Sequence, residues 1–274
     1  MLLRAWRRVP AIIRGIIVGE LVVTIGVTPP ELFLVANLRV SPAVPWMLAA
    51  TALWLWFYWR FLDGAGRRRE LLRAAPASGA MWRAVLLFGT LALSGCLCLC
   101  FLTATAAHTA ASAFQLPIKF EQYPWWTIAS CIAVLSITAG VIEEAGFRGY
   151  MLTAIQEEHG WMIATLVTGF MFFADHHFSH AYATWAYLPF FMIISAAHAL
   201  MVRATGSIKP SIVLHSMFDL AVIPIMYGIV ARLPVGLSGA AYRRTVTIEA
   251  VGLLVAAMAS LAAYRHLQSV ARTT

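Results

Sequence analysis

Charge is scarce in this chain: Asp, Glu, Lys and Arg make up 12% of its 274 residues, about half the share of an ordinary soluble domain. Such a sequence cannot cover a surface with polar side chains, which excludes a soluble enzyme, a disordered tail and a nucleic-acid module. Cysteine is scarce too, with four residues, and their placement excludes a disulfide framework. Cys96, Cys98 and Cys100 alternate inside one apolar run and Cys131 lies in another, where they serve as small hydrophobes. Internal repeats and low-complexity linkers are missing as well. What fills the chain is apolar, 61% of residues with a mean hydropathy of +0.78. The expectation is an all-α protein, a polytopic membrane helical bundle of about eight transmembrane helices, forming a single integral membrane domain over residues 1–274.

A helix crossing the hydrocarbon layer needs about 20 mainly apolar residues. Eight stretches qualify: 12–37, 44–62, 83–106, 125–147, 161–178, 185–203, 209–231 and 247–264. The first is expected to be irregular, broken at Pro29-Pro30. It continues well past signal-peptide length and so reads as a first span. The net charge of +8 sits in clusters between apolar runs, which suits topology signals and anionic headgroups rather than nucleic acid. Arg4, Arg7 and Arg8 precede span one, and Arg60, Arg67, Arg68, Arg69, Arg73 and Arg83 surround the link between spans two and three. The link from Phe114 to Trp125 carries only Lys119 and Glu121. The positive-inside rule then puts the N-terminus in the cytoplasm of a multi-pass cell-membrane protein. Trp54, Trp56, Trp59 and the pair Trp125-Trp126 read as interfacial belts or packing.

Ionisable groups inside a span are costly and point to function. They gather at Glu143-Glu144-Ala-Gly-Phe-Arg148, at Phe172-Phe173-Ala-Asp175-His176-His177, and at His215-Ser-Met-Phe-Asp219. Residues four apart share a helix face, so Glu144 pairs with Arg148. Glu143 points about 100° away from that pair and is the general-base candidate. The polar stretch Gln156-Glu157-Glu158-His159-Gly160 reads as the turn between spans four and five. Counted from its centre, Glu143 and His177 differ in height by about 6 Å in an antiparallel hairpin. His176 is nearly level but faces elsewhere; His177 is favoured. His215 and Asp219 lie on one face, although a turn near 206–210 leaves His215 low unless that turn dips into the membrane.

These three constellations resemble the CAAX-protease and bacteriocin-processing (CPBP, or Abi) family of intramembrane proteases, which carries Glu-Glu-x-x-x-Arg, Phe-x-x-x-His and His-x-x-x-Asn/Asp motifs on successive helices. The resemblance covers about residues 124–225, the expected catalytic core, and includes Arg148-Gly-Tyr and Gly206-Ser-Ile-Lys-Pro. It implies peptide-bond hydrolysis inside the membrane; eukaryotic relatives trim prenylated CAAX proteins. On it, Glu143 and His177 activate a water in the Phe173-x-x-x-His177 motif, with His176 the less favoured alternative. His215 with Asp219 supports the oxyanion, and Glu144 with Arg148 holds the site in shape. Asp219 stands where Asn is commoner; ionised, it accepts hydrogen bonds but cannot donate them, so it either orients His215 or acts protonated.

One glutamate and two histidines, here Glu143, His177 and His215, are also the ligand set of a hydrolytic zinc site. The chain has no His-Glu-x-x-His motif, and a metal-free mechanism is favoured, with zinc the alternative. Expected partners are membrane lipid and a membrane-embedded or lipidated protein or peptide, with no nucleic acid; the spacing looks prokaryotic. Two competing readings are a non-catalytic relative that binds a membrane partner, such as an immunity or scaffold protein, and a proton-coupled transporter. A transporter would show inverted repeats, and none is visible.

Overall fold

The computed structural model describes residues 6, 8–106, 122–179, 183–226 and 237–273. Arg4, Arg7, most of the link carrying Lys119 and Glu121, and the end of the seventh expected span lie outside them. The described residues are helical and hold no strand. The helices are α1 (Ala11–Val40), α2 (Met47–Leu62), α3 (Arg67–Leu72), α4 (Gly79–Ala106), α5 (Trp125–Glu143), a π-helical segment (Glu144–Met151), α6 (Leu152–Ser179), α7 (Leu188–Thr205), α8 (Lys209–Met226) and α9 (Gly239–Ala271). Among them five runs are long and apolar enough to cross a membrane. One of these, Trp125–Ser179, has 55 residues and would stretch about 80 Å if straight, against a hydrocarbon layer of about 30 Å. It is interrupted at Gly160, whose φ of 76° and ψ of 172° leave helical space for a region essentially restricted to glycine. The expected polar turn is therefore helical through His159, and the change of direction falls on one residue. Ile248, Val251, Leu254, Val255, Met258 and Leu261 of α9 are exposed, as residues facing acyl chains must be. The chain is an all-α membrane protein.

The expected break in span one does not occur. Helix α1 runs through Pro29-Pro30 for 30 residues. Pro30 has no N–H to give the carbonyl four residues back, that of Gly26. Trp54 Nε1 donates to that oxygen at 2.9 Å instead, and Tyr58 Oη donates to the carbonyl of Val22 at 3.0 Å. With the freed acceptor satisfied from α2, the helix has no reason to open.

The described residues form two compact units. The first is Met1–Pro76, Phe120–Thr168 and Gly206–Met217. Here α1 lies directly on the π-helical segment: a Cβ on Gly146 would stand 2.5 Å from Val23 Cγ2 and 2.9 Å from the Gly19 carbonyl oxygen. The end of α2 and the α3 helix seal its other side. Tyr150 Oη donates to the Leu62 carbonyl at 2.9 Å and Thr153 Oγ1 to that of Leu71 at 3.2 Å. The turn at 206–208 is tied to the same stretch, with Ile208 N donating to the Arg73 carbonyl and Ser207 Oγ to that of Ala75. Arg14 and Arg67 pair with Glu158 and Glu157, and Arg73 donates to Gln156.

The second unit is Ala77–Lys119, Gly169–Thr205 and Phe218–Thr274. Small residues let α4 and α9 approach: a Cβ on Gly95 would meet Ala256 at 3.3 Å and one on Gly252 would meet Cys98 Sγ at 3.2 Å. Thr105 Oγ1 donates to Glu249 Oε1 at 3.1 Å across that pair. The four cysteines are free, and Cys96, Cys100 and Cys131 are buried.

Candidate active site

The first unit gathers a buried polar cluster where the α5 helix widens. Two glycines, Gly146 and Gly149, weaken α-helical propensity there and let α1 and the Leu72 backbone press onto the turn. The chain answers with π geometry over Glu144–Met151, a form that concentrates at functional sites. Within it Arg148 Nη1 lies 3.1 Å from Glu144 Oε1, and neither side chain is exposed at all. This is the i,i+4 pairing the spacing suggested, formed in a wider helix than the spacing assumed.

Helix α8 closes the cluster. It crosses α5 at Gly140, where a Cβ would stand 2.9 Å from Ser216 N and 3.0 Å from the Ile212 carbonyl oxygen. That approach, together with the anchored 206–208 turn, brings His215 level with Glu144. His215 Nδ1 lies 2.8 Å from Glu144 Oε1, and Ser211 Oγ donates to Glu144 Oε2 at 2.6 Å. An ionised carboxylate only accepts, so His215 carries a proton on Nδ1. Its Nε2 then faces Glu143 Oε2 at 3.8 Å, with the two side chains 6% and 12% exposed. The separation is wide for a direct hydrogen bond and within the range of an ion pair if the imidazole is protonated. The carboxylate on His215 Nδ1 is that of Glu144, from a different helix. Asp219 follows four residues later on α8 and is partly exposed.

In the second unit His176 and His177 sit in different surroundings. His176 Nδ1 bonds the Phe172 carbonyl of its own helix at 2.8 Å, and its ring lies 4.6 Å from Phe172 and 4.7 Å from Phe191, both buried. His177 Nδ1 reaches the Ala183 carbonyl at 2.6 Å. Since a carbonyl only accepts, Nε2 holds the lone pair in the neutral ring. The His177 ring stacks on buried Phe173 at 5.3 Å and lies 5.2–5.3 Å from Trp185 and Phe178, which are 61% and 86% exposed. Both imidazoles are partly exposed, His177 beside exposed rings and His176 beside buried ones.

Sequence reasoning missed three features. Ser211 was a small polar residue one turn before His215, visible at i,i+4 spacing. Gly140 gave no signal, because its role is set by a helix that arrives 70 residues later. His198 on α7 is fully buried, an ionisable group inside an apolar helix and outside the three motifs.

Residues 124–221 match the model of the family described as type II CAAX prenyl endopeptidase Rce1-like. No curated protein and no solved structure matches the chain. The matched stretch carries Glu143, Glu144, Arg148, Phe173, His177, His215 and Asp219, and the match is consistent with a protease of the CPBP family.

Proposed function

We propose that the chain is an intramembrane endopeptidase of the cell membrane, with a cytoplasmic N-terminus, that hydrolyses a peptide bond of a membrane-embedded or lipidated protein or peptide. Glu143 and His177 activate the water: Glu143 takes its proton as the oxygen attacks the scissile carbonyl, and the His177 Nε2 lone pair assists. His215, with Asp219, supports the oxyanion; protonated, its Nε2–H donates to the developing charge, the kind of preorganised contact that contributes most in a dry site. Glu144 and Arg148 keep the imidazole in place. The observation that carries this reading is the 3.8 Å gap between Glu143 Oε2 and an imidazole already locked through its other nitrogen.

Zinc is the alternative reading, on the resemblance. A histidine whose Nδ1–H is held by a carboxylate presents Nε2 as metal-ligating histidines do, and Glu143, His177 and His215 would hold a zinc ion. Such an ion would supply a bound water of lowered pKa. Water activation by Glu143 and His177 alone remains the favoured mechanism, since the chain lacks the helical His-Glu-x-x-His pattern.

The test is Glu143→Gln in the purified full-length protein, assayed on lipidated and transmembrane peptides. Cleavage is expected to fall by about 10²–10⁴-fold, the range general-base catalysis supplies. Undiminished cleavage removes Glu143 as the base. A chelator arm is expected to leave the wild-type rate intact; loss restored by added zinc assigns water activation to the metal.

A further inference from the structure

We propose that Ser211 is a positioning residue that clamps Glu144 together with His215, an inference that rests on the hydrolytic reading for its kinetic consequence alone. Hydroxyls on membrane helices commonly turn back to the carbonyl four residues earlier, and in this chain Ser94, Ser130, Thr168 and Ser260 do so. Ser211 spends its proton instead on a carboxylate of another helix, at 2.6 Å and fully buried.

The geometry gives that bond a purpose. Ser211 and His215 are one turn apart on α8, so their donors descend side by side, Oγ–H onto Oε2 and Nδ1–H onto Oε1. Arg148 adds a cation at Oε1. With a donor on each oxygen the carboxylate cannot rotate about its own axis. If Oε2 were released, rotation would carry Oε1 off Nδ1, and the imidazole could flip. His215 Nε2 would then no longer be aimed at Glu143. Ser211 therefore acts on the reaction through Glu144 and His215, without touching the substrate.

The experiment uses the full-length protein with ¹⁵N-labelled histidine in detergent micelles, and compares wild type with Ser211→Ala and Ser211→Thr. The wild type is expected to show a downfield imidazole proton, assigned to His215 by its loss in His215→Gln. In Ser211→Ala that signal is expected to shift or broaden, with kcat about tenfold lower, as for loss of one hydrogen bond to a charged group, and KM unchanged. Ser211→Thr, which keeps the hydroxyl, is expected to restore both. Should Ser211→Ala fail to fold, Ser211→Cys, near in size and a weak donor, must show the same shift. A wild-type signal and kcat in Ser211→Ala, or in Ser211→Cys where that stands in for it, overturns the clamp. The resonance reads the clamp whether or not the chain cuts peptides. Absence of peptide cleavage by the wild type would therefore overturn the hydrolytic reading and leave the clamp standing.

Discussion

At the scale of residues, the two adjacent glutamates have opposite duties. Glu144 is wholly buried and surrounded by Arg148, His215 and Ser211, whereas the Glu143 side chain keeps 12% of its surface and faces the imidazole across a gap. Removing Arg148 takes the cation from a fully buried carboxylate in low dielectric, whereas Glu143 keeps part of its surface exposed. Arg148→Ala is expected to cost about 3–5 kcal/mol and Glu143→Ala clearly less, read as thermal unfolding in the same detergent; equal losses would contradict the division of labour. The Glu144–Arg148 pair could be read from spacing because both partners lie within one turn. The partner of His215 could not. Its i,i+4 neighbour Asp219 is a plausible carboxylate, and only the crossing of α8 over α5 brings Glu144, 71 residues away, to Nδ1.

At the scale of elements, the site depends on helices that touch backbone to backbone. On Gly146 a methyl would run into Val23 and the Gly19 carbonyl, neither able to retreat without moving α1. Gly146→Ala is expected to destabilise by about 1–3 kcal/mol, as overpacking does. Gly169→Ala, where the new methyl meets the flexible end of Met192 at 3.1 Å, should cost less; thermal unfolding of the pair checks the contrast. The eight apolar stretches were legible because length and hydropathy are local properties. The continuity of α1 was not, since the donor that satisfies the Gly26 carbonyl sits 28 residues away on Trp54. The π widening at Glu144 was equally hidden, for it answers pressure from α1 and the Leu72 backbone rather than any run of residues.

At the scale of the molecule, the family match spans residues 124–221, yet the π-helical turn that carries Glu144 and Arg148 is packed by residues far outside it. Gly19, Val23, Leu62, Leu71, Leu72 and Arg73 all bear on the π-helical segment or on the turn that starts α8. A fragment 77–274 is expected to be degraded rapidly by added protease in micelles, and co-expression of 1–76 as a separate piece to restore protection. Protection of the fragment alone would show that the Rce1-like stretch stands without that support. The Glu144–Arg148 pair has a consequence for biosynthesis. Because both members belong to one helix, they can neutralise each other while the ribosome is still adding residues, long before Ser211 or His215 exists. The segment can enter the bilayer as a dipole instead of as two ions, at a fraction of the insertion penalty a lone arginine carries. Its final anchors arrive only when α8 does.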